Sequence, residues 1–415
     1  MGADSEQLRA VCRSTIDLTC MKVLMVHNDY AGFSGEEAVI ERQERLLQSN
    51  GHEVIRFRRS SSEISQMRFG KARAFFSGAY SWSSRRAMER TLLDRKPDIV
   101  HIHNLFPLIS PSVLGVCRKM CMPVVMTVHN YRLICPSGLF MVGSRICERC
   151  RQGREFWCVL HNCTGSLPKS AGYALRNFVA RKGRLYRRNV MLYMVLTSFQ
   201  RQQLVQEGFP ADRIDVIPNM VDSTETVPST AVGAYVGFVG RISPEKDIPT
   251  LMEAAKACPD IQFKAAGSYH GAPHIVDQRP SNFDFLGHLR KELLAPFYAD
   301  GRIIVLCSVC YEGFPTTILE AMAAGKPVVC SRIGGLPEIV DDDVAGLLFK
   351  PGDARDLAEK IRYLWDRPDL CRKMGQAGRE KVLREYSLQR HYDRLMAAYE
   401  RALRLAVGEH GSVGR

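Results

Sequence analysis

The feature of this sequence that most constrains its fold is an alternation of short apolar strands with amphipathic helices, which runs through the chain twice. Met21–Val26 is predicted to be the first strand and Glu36–Gln48 the first helix, which ends at Gly51. The same rhythm starts again at Ala234–Val239, after Pro218. Because strands that alternate with helices form parallel sheets through right-handed crossovers, two such sheets are expected in succession.

The remaining elements continue this order. In the first half, strands are predicted at Glu53–Phe57, Asp98–Ile102, Val124–Val128 and Met191–Leu196. In the second half, strands are predicted at Gln262–Ala266, Asp284–Leu286, Ile303–Leu306 and Pro327–Ser331, and helices at Ile248–Ala257, Arg290–Tyr298 and Thr316–Ala324. A length of 415 residues suits two domains. We therefore predict an α/β protein of two Rossmann-like, doubly wound domains that face a central cleft, with domains at 1–222 and 223–385 and a helical tail at 386–415.

Composition and charge indicate where the protein works in the cell and which partners it could bind. It is 46% hydrophobic and 24% charged, without an apolar run long enough to span a membrane. Residues 1–20 lack the pattern of a secretion signal, so a cytoplasmic protein is expected, which could work at the inner face of the membrane. Residues 1–222 hold 32 Lys+Arg and 19 Asp+Glu, whereas the remainder holds 25 of each. A basic half favours an anionic membrane surface, a phosphorylated acceptor or nucleic acid as partner, or is a solubilising bias.

The strongest functional motif is Tyr311–Met322, because ligands of such sheets bind in the loops that follow strands. Gly313 lets the backbone approach a ligand closely, and the amide groups at the start of the following helix form an anion site. Glu312 and Glu320 can face the same cleft. Two carboxylates beside a positive helix end suit a ligand that is both polyhydroxylated and phosphorylated, although Glu320 could also be an ordinary first-turn acid.

Further candidate residues follow other strands. Arg241 and Lys246 lie in the loop that starts at Gly240, where they can neutralise a diphosphate. His129 and His103 each follow a strand of the first half, although a histidine there is as often a structural residue.

A group of cysteines lies in a predicted insertion at 132–166. Cys135, Cys147, Cys150 and Cys163 have the composition of a closed, structural zinc site, and Cys158 looks extra. The alternative is a set of reduced thiols without metal.

The segment Lys169–Arg188 combines basic and aromatic residues in a helical pattern. It is expected either to contact a membrane or to pack its apolar face on the sheet.

Taken together, these motifs resemble those of glycosyltransferase family 4. The resemblance covers roughly residues 21–405 and includes the Glu312–Glu320 spacing and the Arg241–Lys246 pair. It also includes Gly334–Glu338, Ala345–Leu348 and the ending around Tyr386–Tyr399, where the family's last helix crosses back to the first domain. The loop Gly32–Glu37 resembles the family's Gly-rich first loop, in which Ser34 replaces the first glycine.

The resemblance implies a GT-B fold and a role for each matching residue. His129 and Glu312 would contact the transferred sugar and are the predicted catalytic residues. Arg241 and Lys246 would hold the diphosphate, Glu320 the ribose, and the loop with Gly287 and Leu289 the base. The full set of predicted donor-binding residues is Gly35, Gly240, Arg241, Lys246, Gly287, Leu289, Gly313, Phe314, Pro315, Thr316, Thr317 and Glu320.

The expected function is that of a retaining glycosyltransferase that moves a sugar from a nucleotide-diphosphate sugar to an acceptor, such as a lipid-linked or cell-envelope saccharide. No Asp-x-Asp motif follows a strand, so no metal cofactor is expected in catalysis, and the only metal considered is a structural zinc. Two alternatives remain. A nucleotide-sugar epimerase uses the same double fold, and a zinc-bearing nucleic-acid-binding protein would explain the basic half. The latter leaves the motifs of the second half unexplained, so no nucleic-acid partner is expected.

Overall fold

In the computed structural model, the described residues are 18–411, apart from 31, 33–34, 68–69, 227, 230 and 270–272. The first half contains strands β1 Lys22–Asp29, β2 Glu53–Ser60, β3 Ile99–Asn104, β4 Val124–Val128, β5 Met141–Val142, β6 Arg145–Ile146, β7 Leu192–Val195 and β8 Ile214–Val216. Its helices are α1 Gly35–Ser49, α2 Glu63–Gln66, α3 Gly70–Ala79, α4 Trp82–Arg95, α5 Ser112–Lys119, α6 Phe156–Leu160, α7 Leu167–Lys182, α8 Leu185–Asn189 and α9 Ser198–Gln206.

The second half repeats the pattern. Its strands are β9 Tyr235–Val239, β10 Phe263–Ala266, β11 Phe283–Gly287, β12 Gly301–Leu306, β13 Val328–Ser331 and β14 Gly346–Phe349. Its helices are α10 Ile248–Lys256, α11 Lys291–Asp300, α12 Thr316–Ala323, α13 Leu336–Ile339, α14 Ala354–Trp365, α15 Pro368–Glu385 and α16 Leu388–Gly411.

Two parallel six-stranded sheets organise the molecule. Their strand orders are β2-β1-β3-β4-β7-β8 and β11-β10-β9-β12-β13-β14, and β5 and β6 form a separate hairpin. In each sheet the strand order reverses at one point, between β1 and β3 in the first and between β9 and β12 in the second. Ligands of doubly wound sheets bind in the crevice at this point. The predicted fold of two doubly wound α/β sheets is confirmed.

The strands are apolar because helices cover both faces of each sheet. Every residue of β3, β4 and β7 is buried, as parallel sheets require. In the second sheet, Phe238, Phe263 and Phe283 are fully buried in one core. This burial explains why the strands read as nearly continuous apolar runs.

Several elements were not predicted. Two of them are the short strands β8 and β14, which lie at the edges of their sheets. In β14, a Cβ at Gly346 would lie 2.0 Å from the Val328 carbonyl oxygen, so the close pairing requires glycine. The helix predicted at Lys169–Arg188 is instead two helices, because Arg184 adopts a left-handed conformation between α7 and α8.

The last helix packs against the first sheet rather than the second. Leu395, Tyr399 and Ala402 of α16 share a core with Met21 and Val23. The buried hydroxyl of Tyr399 also lies 2.8 Å from Nδ1 of His101 on β3. The chain therefore returns to its first half after completing the second. Among the described residues, no helix is long and apolar enough to cross a membrane.

We expect Tyr399→Ala to lower the free energy of unfolding by about 3 to 5 kcal/mol, because it removes a large buried ring. Tyr399→Phe keeps the ring and should cost only about 1 kcal/mol for the lost hydrogen bond. Urea denaturation of both variants measures the two values. An unaltered midpoint in Tyr399→Ala would contradict the docking of α16 on the first sheet.

Candidate active site

Two loops meet where the strand order of the second sheet reverses. One loop follows β9 and carries Lys246, and the other follows β12 and carries Glu312. The Lys246 ammonium donates to the Glu312 carboxylate at 2.6 Å, and the two side chains are only 12% and 14% exposed. The main chain also links the loops, since the Val309 amide donates to the Glu245 carbonyl at 3.0 Å. The sequence motifs thus come together at the expected crevice.

Electrostatics keeps the Glu312 carboxylate ionised. Burial alone raises its pKa, but the nearby Lys246 ammonium and the Ser308 hydroxyl, which donates to the same carboxylate, bring the pKa below its ordinary value. A depressed pKa means that the charge persists throughout the neutral range. The crevice therefore contains a fixed anion beside a fixed cation.

Glu320 lies one helical turn further along, on α12. Its carboxylate accepts a hydrogen bond of 2.8 Å from the buried Tyr298 hydroxyl. Burial raises the pKa of Glu320, which distinguishes it from Glu312. Pro315 precedes the helix and has no side-chain group to cap its first amide groups. The positive end of α12, with Thr316 and Thr317, thus lies beside both carboxylates.

The other predicted donor-binding residues take different positions around this crevice. Arg241 is half-exposed and pairs with Glu245 at 2.9 Å. Gly287 has a positive φ of 67° and open space where a side chain would lie. The side chain of Phe314 is buried in the core of the second half, and that of Leu289 is partly buried against it.

Two further glycines, Gly240 and Gly35, were predicted to bind the donor. Gly240 lies under the β10 loop, where a Cβ at Gly267 would come within 1.7 Å of its carbonyl oxygen. Gly35 opens α1 on the first sheet, with no atom within 4 Å of its Cβ position. Its neighbour Ser34, predicted to replace a family glycine, lies outside the described residues.

The crevice of the second sheet is in close contact with the first sheet. A Cβ on Gly313 would lie 2.4 Å from the His129 carbonyl oxygen, so only glycine fits there. The Tyr131 hydroxyl donates to the Glu312 carbonyl at 3.2 Å. The Tyr311 ring lies 4.8 Å from that of Phe199. These contacts place His129 against the loop that carries Glu312.

One residue that links the halves was missed as a functional residue. The Glu338 carboxylate accepts hydrogen bonds from the Ser198 and Phe199 amides, at 2.7 and 2.6 Å, and so caps α9 from the other half of the chain. Next to it, a Cβ on Gly335 would clash with the Thr197 side chain at 2.7 Å. The Gly-Gly pair before Glu338 was the available signal, but the partner lies 140 residues away.

Histidines line the carboxyl ends of the first sheet. His103 Nδ1 lies 2.9 Å from His129 Nε2, and the ring of His103 stacks on that of His101 at 4.1 Å. Burial lowers the pKa of His129, and also that of His103. Burial likewise lowers the pKa of His27 to about 3. These rings are therefore neutral near pH 7. His103 was a candidate from sequence, whereas His27 and His101 were missed because nothing adjacent marks them.

Four thiols of the cysteine insertion form two interacting pairs. Cys135 interacts with Cys150, which lowers the pKa of Cys135 to about 5, and Cys158 lowers the pKa of Cys163 in the same way. Cys158, the thiol that looked extra, therefore belongs to a pair, and Cys147 takes no part in either. Within the described residues, no three of these sulfurs lie within 4.8 Å of one another. The two pairs are neighbours, because Cys150 and Cys158 share one small buried cluster against which Cys163 packs, and four thiols have the donor chemistry of a zinc site.

We propose these two pairs as the zinc ligands and expect about one zinc per chain in wild-type protein. Cys158→Ser should lose most of the metal, while Cys147→Ser should retain it, which is the reverse of the expectation from sequence. Elemental analysis of protein expressed with ample zinc measures both. Metal-free wild-type protein of full stability would show that the thiols are packing residues.

Comparisons with known proteins relate both halves of the chain to glycosyltransferases. The model for Glycosyltransferase Family 4 matches residues 33–225, and the model for Glycosyl transferases group 1 matches residues 230–381. Alpha-maltose-1-phosphate synthase from Mycolicibacterium smegmatis is 32% identical over 44% of this chain and 56% of its own. The chain spans about half the length of the curated relatives it matches.

Solved structures share the fold across both halves. Sucrose-phosphate synthase from Thermosynechococcus elongatus superposes with a TM-score of 0.69 at 16% identity, over 92% of this chain and 98% of its own. Anabaena HepE, solved with UDP and glucose, gives 0.63 at 17% identity, over 92% and 99%. Such low identity supports the GT-B fold alone. The two family models, which together match most of both halves, show that this chain belongs to the family 4 glycosyltransferases.

Proposed function

We propose that this protein transfers a sugar from a nucleotide-diphosphate sugar to a hydroxyl-bearing acceptor, with retention of anomeric configuration and without a metal ion at the diphosphate. The observation that carries the proposal is the pairing of Lys246 with Glu312 at 2.6 Å. This pair lies beside the start of α12, and the adjoining Gly313 contacts His129 of the first sheet. A cation, two carboxylates and a histidine from opposite halves thus converge on one cleft.

The diphosphate would be held by positive groups of the second half. The Lys246 ammonium has three N–H donors, and Glu312 accepts only one of them. Arg241 is half-exposed and keeps further donors beyond its contact with Glu245. The uncapped amides at Thr316 and Thr317 add a helix N-terminus. These groups would stabilise the charge that develops on the leaving diphosphate.

Hydroxyl groups of the donor would bind the carboxylates. Glu312 accepts from Lys246 and Ser308 through Oε1, and its second oxygen would receive a sugar hydroxyl. Glu320 accepts from Tyr298 through Oε2, and its other oxygen would receive a ribose hydroxyl. The backbone around Gly287 would lie against the base. Anabaena HepE was solved with UDP-glucose, which makes UDP-sugars the first donors to test.

The proposed reaction is a front-face substitution. The acceptor oxygen forms a bond to the anomeric carbon while the bond from that carbon to the phosphate oxygen breaks. The acceptor proton passes to the leaving phosphate, which departs as the nucleoside diphosphate. His129, held by its hydrogen bond to His103, would contact the donor sugar near the reacting carbon. Epimerisation would instead need no acceptor, so acceptor dependence separates the two activities.

The acceptor would bind on the first half, which carries the basic excess. We propose a lipid-linked or cell-envelope saccharide, approached from an anionic membrane surface. The support is a set of exposed apolar side chains on α7 and on two helices that pack against it. Phe76 is 66% exposed, Leu160 67% and Phe178 45%. Apolar side chains among basic residues are typical of interfacial helices.

We expect Lys246→Ala and Glu320→Ala each to weaken nucleotide-sugar binding by roughly ten- to a hundredfold, since each lost charge-assisted contact costs about 1.5 to 3 kcal/mol. Titration calorimetry with the UDP-sugar, chosen from a thermal-shift panel of UDP-, GDP- and ADP-sugars, gives the affinities. Lys256→Ala removes an exposed lysine that also pairs with a glutamate and should bind normally. Unchanged affinity in both Lys246→Ala and Glu320→Ala would show that these residues do not bind the donor.

Donor binding by the wild-type protein should not require a metal ion. A requirement for Mg²⁺ or Mn²⁺ would show that a metal ion takes part at the diphosphate.

Gly313→Ala should lower kcat at least tenfold, because the added methyl group would push the loop away from the His129 carbonyl and misplace the two halves. Gly115→Ala is the control, since its Cβ meets nothing closer than 3.4 Å. Equal kcat values for Gly313→Ala and wild type would show that this contact does not shape the reacting geometry.

Vesicle sedimentation should show binding to vesicles rich in phosphatidylglycerol and little binding to pure phosphatidylcholine, with binding reduced by salt. The double variant Phe76→Ser, Leu160→Ser should bind more weakly, because both side chains are exposed and apolar. Leu293→Ser, which alters an equally apolar residue that is 52% exposed in the second half, should bind as wild type does. Indifference of wild-type protein to vesicle charge would contradict the proposed surface.

A further inference from the structure

A buried histidine at the end of β1 is not accounted for by the proposed transfer reaction. His27 is 1% exposed, and neither ring nitrogen has a hydrogen-bond partner among the described residues. Burying polar nitrogens without partners costs free energy. The two nitrogens are also closed to solvent, so a sugar ring has no room to reach them. A ligand of this imidazole therefore has to be small, such as a single ion.

Carboxylates surround the ring. Asp29 Oδ1 lies 3.6 Å from Nε2, and Glu36 Oε1 lies 3.8 Å from Nδ1. One ligand atom each from His27, Asp29 and Glu37 lie within 4.8 Å of one another. Nitrogen and oxygen ligands bind transition ions at about 2.0 to 2.2 Å, which places ligands of one ion about 3 to 3.5 Å apart. A small contraction of this group would therefore enclose an ion.

Neighbouring groups leave these ligands available. Arg58 lies 3.4 Å from Asp29 Oδ1, but its other terminal nitrogen lies 2.8 Å from the buried carboxylate of Glu44. Arg58 thus has a partner without Asp29. Glu37 accepts the Tyr30 amide through Oε1 at 2.6 Å, which leaves Oε2 for an ion. Arg132 is held near this site by the Tyr30 hydroxyl at 2.9 Å.

We propose that His27, Asp29 and Glu37 form a binding site for a divalent transition ion such as Mn²⁺ or Zn²⁺. An imidazole with two carboxylates balances the charge of such an ion, and this ligand set suits these ions better than Ca²⁺ or Mg²⁺. The ion would tie the start of α1 to the end of β1 and so shape the acceptor side of the cleft. It takes no part at the diphosphate, and the proposal does not depend on the transfer reaction.

The test is titration of the full-length, metal-depleted protein with Mn²⁺, followed by electron paramagnetic resonance of the free ion. Mn²⁺ is the probe because thiolates bind it poorly, which keeps the cysteine insertion silent. We expect one Mn²⁺ per chain, and at least tenfold weaker binding in Asp29→Asn and Glu37→Gln. Asp215→Asn is the matched control, since this carboxylate also lies on a strand of the same sheet and pairs with an arginine, Arg401. It should bind as wild type does.

Electron spin-echo measurements should also show nitrogen coupled to the bound Mn²⁺, with the coupling absent in His27→Gln. Because His27 is buried, a melting curve checks that this variant folds, and the two carboxylate variants decide the matter if it does not. Three results would overturn the proposal: no Mn²⁺ binding by wild type, equal binding in Asp29→Asn and Glu37→Gln, or an equal loss in Asp215→Asn.

Discussion

The geometry of the cleft depends on one close approach, between Gly313 of the second half and the His129 carbonyl of the first. A Cβ at Gly313 would lie 2.4 Å from that oxygen, so the loop before α12 can lie against β4 only without a side chain. The Tyr311 ring, the Tyr131 hydroxyl and the Glu338 cap of α9 all cross between the halves around this point. They fix the carboxylate of Glu312 relative to the histidines of the first sheet.

The charges in the crevice are better explained by ligand binding than by stability. Removing Lys246 and Glu312 from water costs free energy that their mutual attraction only partly returns, so such a pair is weak support for a stabilising role. The opposite pKa shifts of Glu312 and Glu320, one lowered and one raised, are the pattern expected where two carboxylates have different tasks. The Lys246 ammonium, which pairs with Glu312, and the adjoining start of α12 would receive a diphosphate.

Much of the fold could be predicted from the sequence, because strands buried on both faces are apolar and helices alternate with them. The meeting of the Lys246 and Glu312 loops could also be anticipated, since both loops follow strands. Contacts between distant segments could not. Glu338 and Ser198 are 140 residues apart, and nothing adjacent to His27 indicates that its ring is buried without a hydrogen-bond partner among the described residues. The pairing of Cys158 with Cys163 is local, but the sequence does not select it among five neighbouring thiols. The short edge strand β14 was also missed, although Ala345–Leu348 was noted as a family motif.

The most direct test of the account is proton NMR of a reaction that contains the donor, the acceptor and the enzyme. Anomeric protons report both the fate of the donor and the configuration of the product. The account predicts that the donor signal is replaced by that of a glycoside with the same anomeric configuration, with release of nucleoside diphosphate, and only when the acceptor is present. A product of inverted configuration, or an epimerised nucleotide sugar formed without acceptor, would contradict it.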